Sequence, residues 1–452
     1  MTNSNMPVGW HQTTLGNIAV WGSGGTPSRK HPEFYGGDVP WVKTGDLGPK
    51  VLYNASEYIT DLGVKKSSAK YFPKGSVAIA MYGATIGKTS ILGFDTTTNQ
   101  ACAVGQPFND ITEATFLYYL LQNEKDAFIA KGKGGAQPNI SQTLIKAHAV
   151  ALPPLAEQQV IAAKLDTLLA QVDNTQARLE RIPQILKRFR QSVLAAAVSG
   201  RLTEVSCEKL GTLKSITNIV SGLAFKKAQY SKSGSKLLQI ANVGYSETKW
   251  DSVSYIPHSL ANEFSAYTLQ EGDLVMALNR PITNDTLKVA SICANDLPAT
   301  LYQRVARIRA TSELLVSQYL FLLMQSPGFR KNVEQNLKGS DQPYLNTSSL
   351  GTFEINAPNL EEQTEIVRRV EQLFAYAEGV EQQVNNALER VNNLTQSILA
   401  KAFRGELTAQ WREEHPELIS AENSAAALLE RIKAERAAMK TAKKPRQRGR
   451  KS

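Results

Sequence analysis

The sequence predicts two globular α/β domains joined by two long helices that pair along apolar seams. Three observations predict it: a 51-residue stretch that occurs twice, a heptad pattern inside both copies, and the same succession of short strands and a helix ahead of each copy. A shift of 205 positions carries Pro153 onto Pro358, Glu157-Gln158 onto Glu362-Gln363, Gly200 onto Gly405 and Leu202-Thr203 onto Leu407-Thr408. Fifteen of the 51 aligned positions are identical, clustered at the two ends, and no gap is needed. So long a period excludes a solenoid and indicates two copies of a domain-plus-helix unit.

The first globular region, 1–152, is expected to open with a strand over Trp10–Val20 and the turn-rich GSGGTPSRKHPEFYGGD. Short strands follow at Val39–Lys43, Ser76–Met81, Thr89–Gly93 and Ala101–Val104, with YGATIGK as the turn of a hairpin. Glu113–Ala130 reads as one helix, the glycine-rich KGKGGAQPNIS as a loop, and Ala147–Leu152 as the last strand.

The helix of 153–204 comes next. Steps of four and three give Ile161, Leu165, Leu168, Val172, Thr175, Leu179, Ile182, Leu186, Phe189, Val193 and Ala196. The second copy, within 358–412, gives Ile366, Val370, Leu373, Ala377, Val380, Val384, Ala387, Val391, Leu394, Ile398 and Lys401. An apolar residue every 3.5 positions is a coiled-coil seam, so the two helices are expected to pack on each other. Each of about 45 residues would span roughly 65–70 Å. Pro183 removes a hydrogen bond and crowds the carbonyl of Leu179, which predicts a kink, or a break with Pro183 opening a second helix.

Region 205–357 repeats the first plan. Lys236–Ala241 answers Val39–Lys43, Asp273–Leu278 answers Ser76–Met81, Tyr302–Ala306 answers Ala101–Val104, and Glu313–Gln325 answers the helix. The loops differ: LNRPITND stands where the first region has YGATIGK. A repeated frame with divergent loops suits two sites that read different targets. Beyond it, 413–452 is polar with one short helix at Ala425–Lys433, then a basic and disordered tail.

Charge and motifs narrow the function. Of the net charge of +10, eight units sit in Arg436–Ser452, which has no acid, so residues 1–435 carry only +2. Nucleic-acid binding by the folded body therefore needs local patches. No apolar run approaches a membrane span, the N-terminus lacks a secretory signal pattern, and three scattered cysteines form no disulfide framework; the chain reads as cytoplasmic. Gly83–Thr89 ends like a phosphate loop but has three residues between its glycines where four are needed. Five histidines show no metal-ligand spacing, and no nucleophile pattern is present, so the chain reads as a non-catalytic reader and scaffold with no cofactor or metal of its own.

The segments LPPLAEQQVIAAKLDTLL and SVLAAAVSGRLT, their copies NLEEQTEIVRRVEQLF and SILAKAFRGELT, and SGGTPSRKHPEFYGGDVPWVKTGDL with GAQPNIS resemble the specificity (S) subunit of type I restriction–modification systems over about residues 10–410. The resemblance implies that 1–152 and 205–357 are target-recognition domains, each reading half of a split double-stranded DNA site. It also implies that the helices pair antiparallel as a spacer setting the unread gap. Two methyltransferase subunits would carry S-adenosylmethionine, and restriction/translocase subunits would supply ATP- and Mg-dependent translocation and cleavage. The basic C-terminal tail is no part of that pattern. Such a reader needs phosphate contacts and a few side chains on base edges. Candidates in the first domain are Arg29, Lys30, Lys43, Tyr82, Lys88, Lys131 and Lys133. In the second they are Lys226, Lys227, Asn242, Arg280, Asn284, Arg304, Lys338 and Gln342. Gln137-Pro138 and Gln342-Pro343, common to both, read as structural. The rival class is a two-lobed protein–protein adaptor whose tail alone touches nucleic acid.

Overall fold

The structure, a computed structural model, describes residues 6–108, 111–132 and 139–442, without the side chains of 435–442. It divides into two compact units: unit 1 is Met1–Arg178 with Leu388–Ser452, and unit 2 is Leu179–Ala387. Each unit thus takes one globular region and part of both long helices.

The central sheet of unit 1 has the order Ala19–Ser23, Cys102–Pro107, Val77–Ala80, Thr89–Leu92, Val51–Leu52, with only the last pair parallel. Unit 2 orders Thr217–Ser221, Val305–Ala310, Leu274–Ala277 and Val289–Ser291 in the same way, all antiparallel, without the fifth strand. Alternate residues serve two cores. Val77, Ile79 and Ala103 face the helical side and Ala78, Ala80, Cys102 and Val104 the other; Leu274 and Met276 part from Val275 and Ala277 in the same manner. A second shared feature is a parallel pair, Trp41-Val42 with Thr97-Thr98 and Lys236–Leu238 with Ala299–Leu301. A third is the ribbon that closes each region, His11–Thr14 with Ala149–Leu152 and Glu208–Thr212 with Glu354–Ala357.

Several expected elements are subdivided. Trp10–Val20 is a strand, one helical turn at Leu15–Ile18, and a second strand. Glu113–Ala130 is two helices, Ala114–Asn123 and Lys125–Lys131. At the break the Glu124 carboxylate lies 2.8 Å from Nε2 of the buried His148. Its counterpart in unit 2 is likewise two helices, Ser317–Gln325 and Pro327–Gln335, with Pro327 and the Ser326 cap opening the second. The last helix runs Ala425–Ala442, so the first residues of the basic tail are helical rather than disordered.

The first long helix breaks as its proline requires, into Leu155–Leu179 and Ile182–Val198, with Pro183 in the opening turn of the latter. The second is continuous over Leu360–Phe403. In unit 1, Ile161 and Leu165 share a core with Leu399, Ala402 and Phe403; in unit 2, Val193, Leu194 and Ala197 share one with Ile366 and Val370. The start of one helix meets the end of the other in both units, so the pairing is antiparallel. The expected seam drifts at its far end: Leu394 is 46% exposed and Lys401 is exposed, while Leu399 and Ala402 are buried. An unsupercoiled helix turns every 3.6 residues, and the mismatch with 3.5 accumulates along its length. Thr175 also lies exposed, close to the break.

Two of the identities between copies fasten each helix to its domain. Gln158 is fully buried; its amide accepts from Glu113 N (3.1 Å) and donates to Ile111 O (3.1 Å) and Pro153 O (3.0 Å). Gln363 does the same with Val316 N (2.8 Å), Leu314 O (2.9 Å) and Pro358 O (2.9 Å). At the other ends Gly200 and Gly405 adopt φ of 72° and 77°, the left-handed conformation that terminates a helix and favours glycine.

Candidate nucleic-acid interface

In both units a hairpin loop meets the loop that follows the paired helices. In unit 1 the loop between Val77–Ala80 and Thr89–Leu92 carries Tyr82 and Lys88, both exposed. Tyr82 forms a β-bridge with Asn139, and Ile140 N donates to Met81 O at 3.0 Å. In unit 2, Asn279 bridges Tyr344, Leu345 N donates to Leu278 O (2.8 Å) and Arg280 N to Pro343 O (2.7 Å). The same junction is therefore built twice from different side chains.

The unit 2 loop is the more elaborate. Ile282-Thr283 pairs with Thr286-Leu287 across Asn284-Asp285, whose φ of 50° and 60° suit the two-residue turn that matches strand twist. Arg280 (φ 46°) and Arg304 (φ 68°) are left-handed as well, and Leu278 N donates to Arg304 O at 2.8 Å. Four of the seven non-glycine residues with positive φ among the described residues fall here. Strained backbone of this kind concentrates where side chains must be aimed. Lys338 bridges Tyr344 on the facing loop, and Gln342 is exposed beside it. The structure thus gathers Arg280, Arg304, Lys338 and Gln342 about one junction and sets Asn284 at the tip of the hairpin leaving it, where Arg330 Nη1 donates to Asp285 O at 2.8 Å. Sequence reasoning missed Asn279 and Tyr344; the only signal was that Tyr344 follows the shared Gln-Pro.

A second pair of loops leaves the first strand of each sheet. Gly24 and Gly222 both follow a serine and lie so close to the Thr98 and Tyr302 carbonyls that a Cβ would come within 2.0 and 2.1 Å. Beyond them the chains present Arg29-Lys30 and Lys226-Lys227, all exposed. Arg29 is not a free cation. It grips Glu57 with both nitrogens (2.5 and 2.9 Å), lies 4.1 Å over the Tyr35 ring, and shares Glu57 with Lys43 at 3.0 Å. The Arg29 hydrogen bonds, helped by Lys43 and opposed by burial, hold the Glu57 carboxyl down to about 2. Two cations and one carboxylate leave a single net charge.

Asn242 lies elsewhere. It is buried, accepts from Gln239 N at 3.0 Å and donates to Lys249 O and Ser252 O at 2.8 and 2.9 Å, so it builds its loop and presents no free edge. Lys131 is exposed at its helix end with Nζ 3.4 Å from His148 Nδ1. Lys133 and Gln137-Pro138 lie outside the described residues. Among the described residues, no group of three or more histidine, cysteine or carboxylate side chains is placed to hold a metal. Among the same residues no helix is long and apolar enough to cross a membrane.

A duplicated frame that pairs one helix with each loop-bearing domain defines a class of two-site recognition subunits. The model for the type I restriction modification DNA specificity domain matches this chain twice, at residues 7–184 and 209–390. The chain belongs to that family. It is 37% identical to the type I restriction enzyme EcoKI specificity subunit of Escherichia coli K12, over 97% of this chain and 98% of the relative. It is 42% identical to the EcoBI specificity subunit of Escherichia coli over 72% of each. The fold matches the HsdS subunit of Thermoanaerobacter tengcongensis with a TM-score of 0.60 at 18% identity, covering 89% of this chain and 98% of that one. A chain from a study of complex assembly and conformational transition in the type I R-M system gives 0.65 at 18%, covering 89% and 99%.

Proposed function

We propose that the chain is the non-catalytic DNA-specificity subunit of a type I restriction–modification complex, reading a split double-stranded site with one half assigned to each unit. The observation that carries this reading is the duplicated sheet order combined with loops that differ at the same junction, Tyr82–Lys88 in one unit and Asn279–Lys288 in the other. A common frame delivers the two loops to DNA, and their different side chains read different bases. Lys30, Lys226 and Lys227 supply phosphate contacts, and Tyr82, Arg280 and Asn284 read base edges. Two methyltransferase subunits dock on the chain and bring S-adenosylmethionine. Restriction/translocase subunits join through them with ATP and Mg.

Co-expression with the methyltransferase subunit, followed by mapping of methylated adenines, tests this. The expected result is a split motif, one half of which changes when 205–357 is exchanged for that of another specificity subunit. A stable complex without chain-dependent methylation would overturn the reading in favour of an adaptor.

A further inference from the structure

The repeat lets contacts in one unit be checked against the other, and one set does not match. In unit 1 the fully buried Glu157 carboxylate accepts from Trp10 Nε1 (2.8 Å), Thr408 Oγ1 (2.6 Å) and Arg412 Nη1 (2.5 Å). Arg412 is fixed further by Gly405 O at 2.7 Å. The counterparts of Glu157 and Thr408 at the 205-residue spacing are Glu362 and Thr203 in unit 2. The frame around them is the same: Arg369 reaches Leu202 O at 3.1 Å just as Lys164 reaches Leu407 O at 2.8 Å. Yet the Glu362 carboxylate has no hydrogen-bonding or ionic partner among the described residues, and the Thr203 hydroxyl oxygen is buried without one.

Two local differences account for this. The closing ribbons pair His11 with Leu152 and Glu208 with Ala357, which puts Cys207 where unit 1 has Trp10. The chain after Thr203 runs directly into the second domain, whereas after Thr408 it forms the helix Ala409–Glu414 that carries Arg412. What remains is an open cavity of about 800 Å³ lined by Glu208, Glu361, Glu362, Leu210, Leu314 and Leu360 among others. Leu314 and Leu360 are 59% and 42% exposed beside the carboxylates.

We propose that this cavity is a docking socket for a partner protein, which inserts an arginine flanked by apolar side chains onto Glu362. The rim of carboxylates repels phosphate and so excludes nucleic acid as the occupant. A planar guanidinium can meet the half-buried Glu362 carboxylate while its stem lies on the neighbouring leucines, as Arg412 meets Glu157 in unit 1. Unit 1 fills its socket from within, so only unit 2 offers one, and the two units are inequivalent toward partners. The inference rests on the reading that methyltransferase subunits assemble on this chain.

The test measures binding of the purified methyltransferase subunit to the full chain and to its E362Q, E362R and C207W variants, with thermal unfolding of each chain alone. E362Q is expected to weaken binding about tenfold or more, and E362R and C207W further. Native mass spectrometry is expected to show one methyltransferase subunit lost and the other retained. The unfolding temperature of E362Q stays at the wild-type value, because the Glu362 carboxylate makes no internal bond and its N–H, which donates to Asn359 Oδ1, is untouched. Unaltered affinity in E362Q and E362R overturns the inference and leaves the assembly reading standing; a lowered unfolding temperature in E362Q overturns it too. Failure of the wild-type chain to bind the subunit removes both.

Discussion

Gln158→Leu keeps roughly the volume of the side chain and deletes its three hydrogen bonds, leaving Glu113 N, Ile111 O and Pro153 O without partners. A buried polar group stranded in this way costs about 1–3 kcal/mol, so at the low end the three sum to about 3 kcal/mol. Two compact units need not unfold together, and a single global free energy is the wrong observable. Hydrogen exchange reads the affected unit directly. With about 1.4 kcal/mol per tenfold, amides spanning 111–121 should exchange about 100-fold faster in Q158L, while those of 314–324 stay as they were. Gln363→Leu should give the mirror result, through Val316, Leu314 and Pro358. Acceleration below about threefold in both variants would refute the argument that these glutamines staple helix to domain.

Three further outcomes are expected. Glu57 has its carboxyl held down to about 2, against a usual value of 4.5. The stabilisation from its pairing with Arg29 and Lys43 is complete above pH 4.5 and disappears as pH falls through about 2, which carboxyl NMR titration would follow and E57Q would abolish. Lys30→Ala should weaken binding to all DNA sequences alike and reduce the salt slope by about one, whereas Arg280→Ala should cost about 1–3 kcal/mol at one half-site and relax its sequence; titrations at several salt concentrations separate the two. Adding or removing a few residues within 161–196 should change the unread gap and leave both half-sites intact, as methylation mapping would report. Altered half-sites at a fixed gap would end the idea of a spacer.

The frame was legible because its signals are periodic. The 205-residue offset, the apolar seam and the strand at Ser76–Met81 each repeat a spacing that backbone geometry dictates. Pro183 announced its own break. Glu124 did not, because the histidine it meets lies 24 positions away and periodicity does not see pairs. The far end of the second helix misled for a related reason: a strict heptad assumes supercoiling, and Leu399 and Ala402 follow the straight helix instead. Of the site, loop identity was legible and loop wiring was not. Arg29 and Lys43 look like free cations until Glu57 is placed between them, and Asn242 looks like a reader until its amide is seen bound to Lys249 O and Ser252 O.

The two copies separate mechanical parts from informational ones. Gln158 and Gln363, Gly200 and Gly405 persist because the same backbone groups must be satisfied and the same left-handed turns made wherever a helix joins a domain. The loops at the shared junction kept their backbone bridges, Tyr82 to Asn139 and Asn279 to Tyr344, and the Gln-Pro pair, and changed the side chains that form the bridges. Bridges need only main-chain atoms, so a junction built on them tolerates any residue pointing outward. That is the property a reader with two different half-sites requires: the frame holds position while the projecting residues are free to vary. The Glu157 and Glu362 pair fits neither group, since the carboxylate is kept but its partners are not. Glu362 is only half-buried and lines an open cavity, so it keeps its charge with no internal cation to meet it, and the mismatch leaves that charge where a partner can supply one.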